Sequence, residues 1–216
     1  MPIRNGIVDR LEFIPQNGHM LDELLSREDA EALLAPHLDP LRGFVNEGWS
    51  DWLDAVKASP FLATARTTSR ANIVYDRISQ RAEEYFDGLG IPTSRKRKFL
   101  TVSLDDGRLI MRFKKFESKS LRTSGIPTQQ RMEFELQQVV LDGTASTHVV
   151  VGYLPDELGL DLDVVAIACS YNRNVIWQID LNNDGLGAVV PVRTNSPQGP
   201  SVRSTRPAAR EDSQEG

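Results

Sequence analysis

Cysteine is almost missing from this sequence, and its scarcity excludes two ways of stabilising a chain. The 216 residues include one cysteine, Cys169, so neither an internal disulfide nor a zinc site built from several cysteines can form. Cys169 lies in the apolar run VVAIACS, where we expect a small buried hydrophobic side chain. The three histidines are not spaced as paired metal ligands either, so we predict no metal site and no bound cofactor.

Long apolar runs are also missing. No segment approaches about 20 consecutive apolar residues, so the sequence predicts no membrane-spanning helix. The opening residues MPIRNGIVDRLEF lack the apolar stretch of a secretory signal. Together these features predict a cytoplasmic protein of bacterial or phage type that has no membrane contact.

The signatures of common enzyme classes are missing as well. The sequence contains no P-loop, no G-x-G-x-x-G, no G-x-S-x-G and no cysteine pair. One class of nuclease needs an acid two residues before its lysine, but Arg112 occupies that position before Lys114. His148 could act as a general base, as in metal-free ribonucleases, although an ordinary polar residue at a strand start is the favoured interpretation. The sequence therefore leaves open whether the protein is an enzyme.

Acidic residues offer one further constellation. Glu133 and Glu135 fall on the same face of a predicted strand and, with Asp106, could hold a metal ion. Solvent-facing residues of an edge strand have the same spacing, and we favour that interpretation. No metal ligand is predicted.

The composition that is present is typical of a globular domain. Hydrophobic residues make up 40 % of the chain and charged residues 25 %, close to the usual values. We predict one domain over residues 1–191, helical in 1–90 and β-rich in 95–182, followed by a disordered tail at 192–216. The tail is rich in Pro, Ser, Arg and Gly, so it buries too little apolar surface to offset its ordering entropy.

Apolar residues at helical spacing predict helices in the first part of the chain. The helical segments are residues 20–38, 43–60 and 67–90. Ser26 with Asp29 fits a helix cap, and Pro36 and Pro40 are expected to interrupt the helical pattern. Trp49 and Trp52 share one helix face, where core packing is the favoured interpretation and an exposed docking surface is the alternative.

From residue 98 onward the apolar residues alternate and β-branched side chains dominate, which predicts strands. The six predicted strands are residues 98–104, 108–116, 131–141, 148–155, 163–170 and 174–181. Short connections between most of them favour antiparallel neighbours. We therefore predict an α+β fold in which the N-terminal helices cover one face of a six-stranded, mainly antiparallel sheet. A partly closed barrel is the alternative.

Positive charge is concentrated in the middle of an acidic chain. The formal net charge is −5, yet eleven of the 25 Lys and Arg residues lie between residues 95 and 131. Side chains at spacing two on a strand point the same way, about 7 Å apart, which is close to the spacing of phosphates along a single nucleic-acid strand. Hydroxyl and amide side chains that follow this strand add hydrogen-bonding capacity. The candidate binding residues are Arg108, Arg112, Lys114, Lys115, Lys119, Arg122, Thr128 and Gln129.

This basic segment has more than one interpretation. Nucleic-acid contact, a surface that faces a partner protein and a solvated strand all remain open. Aromatic stacking residues are missing from the basic face, because Phe113 falls on the opposite, core-facing side. The cluster SRKRK at residues 94–98 either adds to the same patch or forms a charged linker.

The β-rich half resembles a group of small bacterial and prophage proteins. The resemblance follows the segments RFKKF, TQQRMEFELQQ, VVVGYLPDELGLDLDVVAIAC and VIWQIDL, and it covers roughly residues 60–182. Proteins of this group are encoded beside a regulator that joins a helix-turn-helix to a zinc-peptidase-like domain, in gene pairs proposed as toxin–antitoxin-like or phage-related modules. The resemblance implies a protein partner, the adjacent-gene regulator, and carries no catalytic residues.

The expected function is therefore that of a soluble binding or regulatory component that acts through a protein partner with its basic sheet surface. The alternative is a nucleic-acid-acting effector, such as a ribonuclease-like toxin that uses Arg112, Lys114 and His148. Binding of a phosphate ligand in the sheet is a third possibility.

Overall fold

The fold is known from a computed structural model. The structure describes residues 24–96, residues 99–123, Phe134, Gln137 and residues 146–182. The predictions for residues 1–23 and for the tail at 192–216 lie outside these described residues.

Three α-helices in the described part of the chain form one layer of the fold. They are α1 at Arg27–Leu34, α2 at Leu38–Ala58 and α3 at Thr67–Gly88. Ser26 caps α1 as predicted, because its hydroxyl accepts a hydrogen bond of 3.1 Å from the backbone N–H of Asp29. Pro40 does not interrupt the second helix; it lies in the first turn of α2, where a missing N–H has no helical partner to lose. Within the described residues, no helix combines the length and the apolar character needed to cross a lipid bilayer.

The long helices α2 and α3 pack closely against each other in antiparallel orientation. The two helices are in tight contact at Gly48, where a Cβ atom would lie 2.7 Å from Cγ1 of Ile78. On the outer side, the Arg81 guanidinium binds the carboxylates of Glu47 at 2.8 Å and Asp51 at 2.9 Å. The absence of a side chain at Gly48 thus lets the two apolar helix faces meet.

The second layer is a six-stranded sheet with its strands in chain order. The strands are β1 at Thr93–Lys96, β2 at Phe99–Leu104, β3 at Leu109–Lys115, β4 at Thr147–Pro155, β5 at Leu162–Tyr171 and β6 at Asn174–Asp180. All neighbours are antiparallel except β3 and β4, which run parallel. The predicted α+β class and the mainly antiparallel sheet are confirmed. The described sheet is open, with β1 and β6 as its edges, so these strands do not form the alternative barrel.

Alternation along the strands gives the sheet two different faces. The helix face packs against the helices and forms the main core; on β3 it carries Leu109, Met111 and Phe113. The second face carries Arg112 and Lys114 on β3, together with a smaller apolar cluster. The buried members of that cluster are Phe116, Leu121, Ala166 and Ala168.

Two strand assignments differ from the sequence prediction. The SRKRK cluster contributes to β1, which pairs with β2 as an edge strand. The strand predicted at 131–141 falls mostly outside the described residues, and the two positions that are described are not extended. Phe134 is helical and Gln137 lies in a turn with a φ of 53°. The sixth strand is therefore β1, and β3 pairs directly with β4.

Candidate functional site

Arg108 lies at the entrance of β3 rather than within the strand. It directly follows the 3-10 turn Asp105–Gly107, and its own backbone angles are helical. Its guanidinium binds the Asp105 carboxylate at 2.6 Å. Both side chains are more than a third exposed, so this ion pair contributes at most about 1 kcal/mol to stability. The charge of Arg108 is thus balanced locally.

Arg112 occupies the centre of the second face and is half-buried. Its guanidinium carbon lies 4.2 Å from the centroid of the Phe134 ring, in a cation–π contact. The buried Nε atom has no hydrogen-bond partner among the described residues. Burial lowers the pKa of Arg112 from its ordinary value, and the nearby Tyr75 opposes this shift. The cation expected to project into solvent is instead partly covered by an aromatic ring from the segment that joins β3 to β4.

His148 meets the same aromatic ring from strand β4. The centroids of the His148 and Phe134 rings are 4.6 Å apart, and their planes differ by 16°. His148 lies diagonally across from Arg112, because His148 pairs with Ile110 and Arg112 pairs with Val150. Nδ1 of His148 is 3.2 Å from the Phe134 carbonyl oxygen, whereas the buried Nε2 has no partner in the described part of the chain. The fold therefore brings together two of the three residues considered for ribonuclease-like chemistry.

Gln137 attaches the same connecting segment to the sheet. Its side-chain amide donates hydrogen bonds to the backbone carbonyls of His148 at 2.9 Å and Ser170 at 2.8 Å. Its side-chain oxygen accepts a short hydrogen bond from the backbone N–H of His148. Gln137 is 2 % exposed, so one buried side chain bridges strands β4 and β5. Sequence reasoning missed this role, because nothing local distinguishes Gln137 from the neighbouring glutamine.

Lys114 and Lys115, adjacent in sequence, emerge on opposite faces at the end of β3. Lys114 is half-buried on the second face. Lys115 is half-buried on the helix face, where it pairs in register with Tyr153 of β4. Burial lowers the pKa of Lys115, and the charge of Arg70 lowers it further. Lys115 therefore belongs to different surroundings from Arg112 and Lys114.

The loop after β3, residues 116–123, carries the last two candidate binding residues that the structure describes, Lys119 and Arg122. Lys119 is largely exposed and binds the Asp163 carboxylate at 2.9 Å, and Arg122 is exposed. The ion pair joins this loop to the start of β5. Thr128 and Gln129 lie outside the described residues.

The connection between β4 and β5, which we term the leucine loop (residues 156–161), presents two apolar side chains to solvent. Leu158 is 79 % exposed and Leu160 is 65 % exposed. The Asp156 carboxylate accepts a 2.8 Å hydrogen bond from the backbone N–H of Leu160, and the Asp156 N–H donates to the Asp161 carbonyl at 3.0 Å. These bonds give the loop a defined backbone. The sequence analysis places this connection between the strands predicted at 148–155 and 163–170, and its leucines follow no strand or helix period that would indicate exposure.

Metal and thiol chemistry find little support in the described part of the chain. No group of three or more His, Cys, Asp or Glu side chains there could hold a metal ion. Glu133 and Glu135 lie outside the described residues. Cys169 is buried as predicted, and burial raises the pKa of its thiol to about 12, so the thiol stays protonated at neutral pH.

The fold places the chain in a structural class, an open six-stranded α+β sheet with helices on one face. No protein-family model, no curated protein and no solved structure matches the chain. The resemblance of the β-rich half to prophage proteins therefore stays a prediction. Since folds of this kind do not define a function, the function has to be argued from the surfaces described above.

Acidification is expected to destabilise the fold through His148. Burial lowers the pKa of His148 from its ordinary 6.5; the hydrogen bond to the Phe134 carbonyl opposes this change, and Arg112 adds to it. The unfolded chain therefore binds the proton more readily than the folded chain does. The contribution of neutral His148 to the free energy of unfolding is fully present above a pH of about 6.5. It falls as the pH drops toward the lowered pKa. Each tenfold difference in proton affinity between the two states corresponds to about 1.4 kcal/mol.

Urea unfolding of the wild type and of His148→Gln, from about pH 7.5 to 5.5, measures this effect. The variant should show a smaller loss of stability on acidification. His37→Gln separates the two buried histidines, because burial lowers the pKa of His37 as well, so this variant removes the His37 contribution and keeps that of His148. An undiminished loss in His148→Gln would show that the titrating group lies elsewhere.

Proposed function

We propose that this protein is a binding module that acts through a protein partner, the regulator encoded beside it in a bacterial toxin–antitoxin-like or phage-related gene pair. The observation that supports this proposal is the leucine loop. Leu158 and Leu160 are large apolar side chains exposed on a hydrogen-bonded backbone. Such a loop loses little conformational entropy on docking, so burial of its side chains contributes directly to affinity.

The charges around the leucine loop define the chemistry of the partner. Acidic side chains flank the leucines on both sides, and an apolar groove bordered by Lys or Arg residues would complement them. These acidic side chains are Asp156, Glu157 and Asp161. The Lys119–Asp163 ion pair joins the basic loop at 116–123 to the beginning of β5 beside the leucine loop. Lys119 of the predicted basic segment is thereby held at the strand that follows the leucine loop.

Replacing both leucines by serine should weaken the complex at least about 10- to 100-fold, because burial of a leucine side chain contributes about 1.5–3 kcal/mol. The folding stability should hardly change, since both side chains are exposed. The experiment co-expresses the full chain with the adjacent-gene product and measures the affinity of the purified pair by calorimetry.

Leu89→Ser is the matched control, because Leu89 is 53 % exposed at the end of α3, outside the leucine loop. This variant should bind like the wild type. If the wild-type chain does not bind the adjacent-gene product, the proposal is wrong. Equal weakening by Leu89→Ser would show that general surface hydrophobicity, rather than the leucine loop, drives binding.

A second candidate function, a nucleic-acid-acting effector, is favoured by the meeting of Arg112 and His148 around Phe134. Arg112 offers an unpartnered Nε–H, and His148 offers an unpartnered Nε2, among the residues that the structure describes. Phosphate contact would make oligonucleotide affinity fall steeply between low and moderate salt. If the protein is such an effector, its induced expression should arrest bacterial growth, and Arg112→Ala with Lys114→Ala should abolish the arrest. Harmless expression of the wild type would count against this candidate.

A further inference from the structure

Two buried hydrogen-bond donors meet between α2 and β4 without partners in the described part of the chain. Trp49 is 4 % exposed and Tyr153 is 2 % exposed, which confirms Trp49 as a core residue. Their ring centroids lie 6.0 Å apart. Neither the Trp49 Nε1–H nor the Tyr153 hydroxyl forms a hydrogen bond with the described residues. Unmade hydrogen bonds of buried groups are rare in native proteins, and each one calls for a physical explanation.

Two cations adjoin these donors. The guanidinium carbon of Arg70 lies 5.6 Å from the centroid of the Trp49 ring, and its charge acts on both the Tyr153 hydroxyl and the Lys115 ammonium. Lys115 stands beside Tyr153 on the neighbouring parallel strand, on the same face of the sheet. Neither cation forms an ion pair within 4 Å of a carboxylate of the described residues, although the charge of Glu117 acts on Lys115 over a longer distance. We term Trp49, Arg70, Lys115 and Tyr153 the donor cluster.

The donor cluster lies at one end of the parallel strand pair. Lys115 and Tyr153 lie toward the carboxyl ends of β3 and β4, which are the one parallel pair of the described sheet. Arg70 lies near the start of α3, a helix without a side-chain cap at its N-terminus. Gly159 of the leucine loop makes room for Arg70, because a Cβ there would lie 2.6 Å from Nη1.

We propose that the donor cluster binds a phosphate group, either as free phosphate or as part of a phosphate ester. The tryptophan N–H, the guanidinium and the ammonium only donate hydrogen bonds, and the tyrosine hydroxyl can donate one. A phosphate dianion supplies acceptor oxygens for the two buried donors, which have no partner among the described residues, and its negative charge complements the two cations. A planar carboxylate carries one charge and two oxygens, which matches the four donors less well. Arg70 and Lys115 are only half-buried, so they connect the buried donors with solvent.

Titration of the full-length protein with inorganic phosphate, at an ionic strength held constant with sodium chloride, tests the site. Phosphorus NMR and thermal unfolding should both report saturable binding to the wild type. Tyr153→Phe and Arg70→Gln should each raise the dissociation constant at least about tenfold, since each removes a direct donor. Tyr153→Phe removes a single oxygen that has no partner among the described residues, so it should leave the stability of the phosphate-free protein unchanged or slightly higher.

Arg173→Gln is the matched control, because it removes one positive charge from the exposed β5–β6 turn. It should bind phosphate like the wild type. Ribose 5-phosphate in a parallel titration distinguishes the two sources of the phosphate: tighter binding of the ester identifies an ester ligand, and equal binding identifies phosphate itself. An absence of saturable phosphate binding, or equal affinities of the wild type and Tyr153→Phe, would overturn the proposal. The leucine loop and the protein partner could stand in either case.

Discussion

Gly152→Ala is expected to destabilise the protein by about 3 kcal/mol, at the upper end of the effect of overpacking a core. Gly152 lies on β4, directly beneath the ring of Phe116 on the second face. An added Cβ would overlap that ring, with Cε2 at 2.6 Å, and would lie 2.8 Å from the backbone oxygen of Lys114. Phe116 is fully buried, and the backbone of β3 is fixed in the sheet by its ladder with β4. Neither neighbour can therefore move aside without losing contacts of its own.

Gly43→Ala is the control, because it makes the same glycine-to-alanine change at a position where the added Cβ has room. Gly43 lies inside α2, and the nearest atom to an added Cβ is the flexible end of Glu47, at 3.9 Å. Alanine should therefore stabilise the helix there by about 0.5–1 kcal/mol. Equilibrium urea unfolding of both variants gives the two free energies of unfolding. A loss below about 1 kcal/mol at Gly152, the lower end of the overpacking range, would mean that Phe116 does not pack over this strand.

Gln137→Leu is expected to lower the free energy of unfolding by about 3 kcal/mol. The Gln137 side chain forms hydrogen bonds with the backbone N–H and carbonyl of His148 and with the backbone carbonyl of Ser170. Leucine has a similar size but no polar atom, so all three backbone groups would lose a buried partner. The loss should also loosen the segment that carries Phe134, and with it the ring contacts to Arg112 and His148. Urea unfolding measures the stability, and amide hydrogen exchange at His148 reports the local opening.

The exposed Gln80→Leu substitution is the matched control. Gln80 lies on α3, and its side-chain amide donates a hydrogen bond to Glu84 at 3.1 Å. Its replacement should change the stability by no more than about 0.5 kcal/mol. Similar stabilities of Gln137→Leu and Gln80→Leu would contradict the bridging role of Gln137. Exchange protection at His148 that survives in Gln137→Leu would contradict it independently.

The local pattern of apolar residues in the sequence was sufficient to predict where most of the described helices and strands lie. The helix predicted at 67–90 forms at Thr67–Gly88, and the strand predicted at 108–116 forms at Leu109–Lys115. Both predictions depend on the spacing of apolar residues along a single segment, which directly reflects the side that each segment buries. For the same reason the burial of Cys169 could be predicted from the apolar run around it.

The candidate sites could be predicted from the spacing of residues in the sequence only to a small extent. The parallel pairing of β3 with β4 brings Arg112 near His148 and Lys115 beside Tyr153, although 36 and 38 residues separate these pairs along the chain. Spacing within the basic segment correctly placed Arg112 and Lys114 on one face, but it could not indicate that a ring from a distant segment covers Arg112. The leucine loop and the unpartnered donor on Trp49 carry no sequence signal at all.

The amino-acid sequence by itself determined which stretches bury an apolar side, and therefore the α+β class, because that information is local and repeats with the period of a helix or a strand. Only the tertiary structure decided which strands became neighbours and which polar groups kept or lost their partners. Those outcomes depend on contacts between residues far apart in the chain, where the geometry of the whole sheet, rather than any single segment, selects the pairing with the lowest free energy.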